Sequence, residues 1–172
     1  MFDVISKYLR KHLLTPKNIE RILERTADKY LCPNYNYTIL DTIPSELLDA
    51  YSEFQSVDEP EDITGITFAS AEIDSDGSCG DVWFSVRAIQ KGLEDFGLLE
   101  GIEIVWEIAL HECRHADQFE FLRARGGSEL IGRVMEDQKG VPYMENILEV
   151  DAYHYQFTGE ETDFEIVFAR YL

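Results

Sequence analysis

The chain has 172 residues, of which 45% are hydrophobic and 12% aromatic, enough to bury a core of its own and to exclude an acidic disordered tail. Thirty-four acids against fifteen bases give a net charge of −19, and the acidic body of residues 31–172 argues against sequence-independent binding of that stretch to phosphate backbones or anionic lipid headgroups. The charge is uneven, since residues 1–30 hold seven bases and four acids and leave −22 on residues 31–172.

In chain order, Phe2, Ile5, Leu9 and Leu13 recur at three- and four-residue spacing and predict an amphipathic helix. Thr15-Pro16 then supplies a cap and first-turn proline for a second helix carrying Ile19, Ile22 and Leu23. Cys32-Pro33-Asn34 interrupts it, a short apolar segment runs from Tyr37 to Leu40, and Leu47, Leu48, Tyr51 and Phe54 after Pro44 predict a third helix. Residues 57–62 break that helix. The pattern then changes to β-branched and aromatic residues: Ile63 to Ala69 and Val82 to Ile89 read as two paired strands around the Ser75-Asp76-Gly77-Ser78 turn. A calcium loop starting at Glu72 would need a bidentate glutamate where Trp83 stands, so turn chemistry suffices there.

Ile102 to Arg125 contains neither proline nor glycine and predicts a long central helix stopped by Gly126-Gly127. A further helix is expected from about Met144 to Tyr155, and a final apolar segment from Phe164 to Leu172. The reading is one α+β domain over residues 1–172, with a helical N-terminal part (1–60) and a core (61–172). Cys32, Cys79 and Cys113 form no Cys-x-x-Cys knuckle, and an odd count suits a reducing compartment. With an acid in Met1-Phe2-Asp3-Val4 where a signal peptide wants basic charge, a cytoplasmic location is expected, with neither nucleic acid nor membrane as partner.

The long helix carries His111-Glu112-Cys113-Arg114-His115, an H-E-x-x-H motif. At about 100° per residue the two histidines lie about 40° apart around the axis and one turn apart along it, so both imidazoles can reach one ion. Glu112 is one residue step further round, the position of a general base beside that ion. Zinc with two histidines needs a third ligand. Metzincin spacing would put glycine at Gln118 and histidine at Phe121, so that arrangement is absent. His12 and His154 are candidates, but a carboxylate on a following helix is the commoner partner.

The sequence around His111-Glu112-Cys113-Arg114-His115-Ala116-Asp117-Gln118, with Glu149-Val150-Asp151-Ala152-Tyr153 downstream, resembles the gluzincin branch of the zincin metallopeptidases, over residues 80–156. The resemblance implies a zincin-like fold: N-terminal helices, a small twisted sheet, a long active-site helix and a following ligand-bearing helix. It implies zinc held by His111, His115 and Glu149, Glu112 as catalytic base, and a peptide or protein substrate lying along an edge strand, for which Val82 to Ile89 is the candidate. One departure matters, because the register of several gluzincins would put Ile147 at the metal. Glu149 and Asp151, about 200° apart on a helix, therefore compete for the third position.

Among the remaining residues, Glu145 reads as a surface glutamate, with orienting a histidine N–H as its other role. Tyr143, Tyr153, Tyr155 and His154 could donate to an oxyanion, though tyrosines in such a stretch usually pack. Cys113 reads as a small buried residue. Arg114 and Gln118 are expected to make structural hydrogen bonds. The acidic surroundings lead us to expect basic residues near the scissile bond. Two other functions compete with peptide hydrolysis: a non-catalytic zinc-binding scaffold or regulator, and an acidic interaction module mimicking nucleic acid.

Overall fold

The computed structural model describes residues 2–54, 59–75 and 77–172; Val57 and Asp58 of the expected break and Asp76 of the expected turn lie outside them. Two helices open the chain, α1 (Phe2–Leu13) and α2 (Pro16–Tyr30), with Thr15 extended at the N-cap and Pro16 in the first turn, where a missing N–H costs nothing. On α2, Ile19, Leu23 and Ala27 recur every four residues and are buried, so one face of the helix seats on the core.

Next come β1 (Tyr35–Leu40) and α3 (Ser45–Phe54), then β2 (Gly65–Ala69) and β3 (Gly80–Ser85). The sheet order is β1-β3-β2, with β1 parallel and β2 antiparallel to β3. Two expectations change here. The segment from Tyr37 to Leu40 is part of a strand, and Val82 to Ile89 is strand only as far as Ser85. The Ser85 hydroxyl accepts the Ala88 N–H and starts α4 (Val86–Gly92), so the chain turns helical without a loop. Because β3 is the central strand, it has no free edge to offer a substrate. The edges belong to β1 and β2.

The long helix α5 spans Leu98–Gln138 and starts one turn earlier than expected, because the Glu100 carboxylate accepts the Gly97 N–H at 3.0 Å and Ser6 Oγ accepts the Leu98 N–H at 3.1 Å. Gly126-Gly127 breaks it as expected but does not end it. Gly126 (φ −155°, ψ 18°) and Gly127 (φ 64°, ψ −162°) leave helical geometry, the latter in a region that favours glycine, and a second helical limb follows immediately. That limb buries Leu130, Ile131 and Val134, which supply the reason to resume. After a 3₁₀ turn at Tyr143–Glu145 come α6 (Ile147–Thr158) and the short α7 (Phe164–Val167).

The architecture is thus mixed α and β, seven helices and a three-stranded sheet among the described residues. Ile19, Leu23, Val82, Phe84, Val105, Ala109, Ala116, Leu122 and Phe168 form one core beneath α5. Arg123 of α5 ties the helix to the sheet by donating to the carbonyls of Ser70 and Cys79. No helix among the described residues is long and apolar enough to cross a membrane.

Candidate metal centre

His111 and His115 sit one turn apart on α5, and Asn146 fixes the helix that faces them. Its side-chain oxygen accepts the Leu148 N–H and caps α6, which puts Glu149 in the first turn of that helix. Glu149 Oε2 lies 3.2 Å from His111 Nε2 and 3.5 Å from His115 Nε2, and the two Nε2 atoms are 3.1 Å apart. All three residues are buried, at 8%, 8% and 4% exposure, and their ligand atoms lie within 4.8 Å of one another. The group can hold a metal ion.

The surrounding hydrogen bonds fix which ring nitrogens face inward. Gln118 donates its amide to Leu148 O (2.9 Å) and to Asp151 Oδ2 (2.7 Å), so its Oε1 must accept the N–H at His115 Nδ1, 2.8 Å away. Gln156 hydrogen-bonds the Glu107 carboxylate, which only its amide nitrogen can do, so its Oε1 accepts the N–H at His111 Nδ1, 3.1 Å away. With each Nδ1–H so engaged, both rings turn their Nε2 atoms toward each other and toward the Glu149 carboxylate. Two ring nitrogens and a carboxylate oxygen meeting in a buried space make a place for positive charge, a proton or a metal ion.

The charges around the ring favour a proton on His115 when no metal is bound. Burial works to lower the His115 pKa, yet the charge and hydrogen bond of Glu149, helped by Glu112, push it up to about 9. For Glu149, burial alone would raise the carboxyl, but the His115 charge and the hydrogen bonds from both histidines hold it far below the usual range.

Asp151 points elsewhere. Its carboxylate receives Arg114 Nε at 2.8 Å and Nη2 at 3.1 Å, together with Gln118 and the Thr162 hydroxyl. Arg114 also stacks on the Phe164 ring, 3.9 Å from its centroid. Arg114 and Gln118 thus make the structural bonds expected of them, and Asp151 is spent on them. His12 and His154 are exposed and stand outside the cluster, as does exposed Glu145. Cys113 is buried, and burial followed by the Asp117 and Glu112 charges pushes its thiol well up, away from nucleophilic use.

Glu112 is buried beside the cluster, where the Thr67 hydroxyl of β2 donates to Oε2 at 2.8 Å. Strand and glutamate are so close that a Cβ at Gly65 would stand 2.7 Å from Glu112 Cγ. A cavity of about 530 Å³ opens here, lined by Thr64, Gly65, His111, Glu112, Tyr143 and Tyr153 among others. A smaller apolar one of about 120 Å³ lies against Glu112, His115 and Glu149, walled by Phe54, Phe68, Phe119, Met135 and Leu148.

Three tyrosines frame the cluster. Tyr143 places its hydroxyl 3.5 Å from His111 Nε2 and hydrogen-bonds Glu149, while the Tyr153 ring meets His111 edge-on at 5.3 Å. Tyr51 of α3 lines both cavities, and burial plus the Glu149 and Glu112 charges push its phenol up. Sequence reasoning missed Tyr51, Gly65 and Thr67, which lie far from the motif in sequence and form no pattern of their own. No protein-family model, curated protein or solved structure matches this chain.

Proposed function

We propose that this chain is a zinc-dependent metallopeptidase of zincin type, with His111, His115 and Glu149 holding the metal and Glu112 acting as the base. The observation that carries the reading is the convergence of two inward-facing Nε2 atoms and a buried carboxylate beside an open cleft. Two imidazoles and one carboxylate are a donor set that suits zinc and leaves a coordination position free. Zinc bound there would supply Lewis-acid chemistry, polarising a carbonyl and acidifying water to a pKa of about 7.

The chain's own residues do the rest. Thr67 holds Oε2 of Glu112, which keeps the carboxylate oriented, and the carboxylate takes a proton from water and returns it to the leaving amine. The Tyr143 phenol, at the cleft wall beside His111, donates its one hydrogen to Glu149 and so steadies the third ligand. Thr64 and Gly65, where β2 begins, line the cleft, so β2 is the edge along which an extended peptide backbone lies. The strongly negative chain favours substrates with basic residues near the scissile bond. Three unpaired thiols suit a reducing compartment such as the cytoplasm.

The test is metal analysis of purified protein combined with mass-spectrometric detection of peptide cleavage, for the wild type and Glu112→Gln. One zinc per chain in both, with cleavage by the variant reduced at least about a thousandfold, is the expected result. Zinc in both and no cleavage by either would leave a zinc-binding scaffold and overturn the peptidase.

A further inference from the structure

The outer side of α1 carries a second binding surface, independent of the metal centre. Ser6, Arg10 and Leu14, four residues apart, face the rest of the chain: Ser6 Oγ accepts the Leu98 N–H, Arg10 donates to Glu94 O, and Leu14 reaches Gly101. One residue step to one side of that line come Ile5, Leu9 and Leu13, with Val4 and Tyr8 beyond them. They are 50%, 39%, 51%, 71% and 63% exposed, so five large apolar side chains of a twelve-residue helix face outward in one stripe.

One step to the other side lie Lys7 and Lys11. Lys11 and Arg10 border a cleft of about 540 Å³ that Arg87 and Lys91 of α4 also line, four bases against the one acid Glu94. Arg87 pairs with Asp41 and Lys91 with Asp62, so α4 adds cations that are already partly neutralised. The stripe therefore sits on the part of the chain with a positive balance, seven bases to four acids in residues 1–30, while −22 resides elsewhere. An apolar stripe flanked by lysines, on a helix lying along the protein surface, is the arrangement that seats in a lipid headgroup layer.

We propose that α1 is a docking surface for an anionic lipid bilayer, its apolar stripe entering the headgroup region and its lysines meeting lipid phosphates. The expectation of no membrane partner was drawn from the acidity of residues 31–172, and α1 lies outside that stretch. A second copy seated on the same face would set one basic-edged helix against another with no anion for Lys11, and it is the other outcome of the test below. A bilayer meets Lys11 at contact, and salt at 0.1 M, with a Debye length of about 10 Å, weakens the repulsion from acidic groups on the far parts of the chain.

The experiment is flotation of the full chain with vesicles of phosphatidylcholine and phosphatidylglycerol in equal parts, against vesicles of phosphatidylcholine alone. At least about tenfold more protein should float with the mixed vesicles, high salt should release it, and Ile5→Asp combined with Leu9→Asp should abolish flotation while helicity and zinc content persist. If the double variant loses its helix, Lys11→Glu, which leaves the stripe in place, must still weaken flotation. Equal flotation with both vesicle types, or none with either, overturns the proposal. So does a wild-type dimer that the double variant dissociates without any flotation, which would assign the face to a second copy.

Discussion

Replacing Glu149 by glutamine keeps the side-chain volume and removes one charge from the place where two ring nitrogens and a carboxylate oxygen meet. In the wild type, zinc at a thousand times its dissociation constant would stabilise the folded chain by about 4 kcal/mol. For a domain of this size each kcal/mol moves the melting temperature by roughly 2–4 °C, so zinc should raise Tm by about 8–16 °C. If the lost charge weakens zinc about a hundredfold, the same zinc concentration stands only tenfold above the new dissociation constant and stabilises by about 1.4 kcal/mol, or roughly 3–6 °C. Differential scanning fluorimetry with and without zinc reads this difference directly. Glu145→Gln, on the exposed turn before α6, should keep the full increment. Asp151→Asn should lower the zinc-free Tm, because Arg114 loses a buried partner, yet also keep it. An undiminished zinc increment in Glu149→Gln, or one abolished by Asp151→Asn in protein that still folds, would refute the assignment of the third ligand.

Arg114→Met should cost about 3–5 kcal/mol in urea unfolding, since it strands the Asp151 carboxylate among buried groups; a loss under about 1 kcal/mol would show the pair to be dispensable. Gly65→Ala places a methyl 2.7 Å from Glu112 Cγ and should cut peptide cleavage at least about tenfold with zinc content unchanged, so wild-type rates in a folded variant would refute the tight seating of β2 on Glu112. The Cys32 thiol is pushed up to about 12 by burial, then by Asp117 and Glu120, so it stays protonated throughout the neutral range. Its labelling by a thiolate-specific reagent at pH 8 should run about a thousandfold below that of free cysteine and rise tenfold per pH unit to pH 9.5, whereas rapid labelling of native protein at pH 8 would contradict the burial.

Helix positions were legible in the sequence where apolar spacing was regular and a proline stood at the start, as at Thr15-Pro16 and after Pro44. The strands were harder to read. Tyr35–Leu40 pairs in parallel with β3 across forty-five residues, and nothing local in six residues announces a partner so distant. Val86 to Ile89 has strand-like composition, and only the Ser85 hydroxyl decides for helix. Gly126-Gly127 gave the place of the break correctly but not its consequence. Two glycines end helical geometry, while resumption depends on Leu130, Ile131 and Val134 finding a core that spacing alone does not display.

The candidate centre shows the same division between local spacing and distant partners. His111 and His115 could be paired from the motif, because helical rotation fixes their relation. The choice between Glu149 and Asp151 could not be made from α6 alone, because both carboxylates recur on one short helix. What separates them lies on α5, where one turn of helix carries both kinds of partner. His111 and His115 turn ring nitrogens toward a place for positive charge, and Arg114, on another side of the same turn, brings a cation of its own. Two carboxylates about 200° apart on α6 then meet two opposite demands. Gln118 joins them, since it bonds Asp151 through its nitrogen and His115 through its oxygen. The ion pair Arg114–Asp151 therefore orients the amide that orients the ligand. Asp151→Asn removes the charge that Arg114 pairs with but leaves an oxygen for the Gln118 amide, so the fold should loosen while the orientation of His115, and with it the zinc increment, survives.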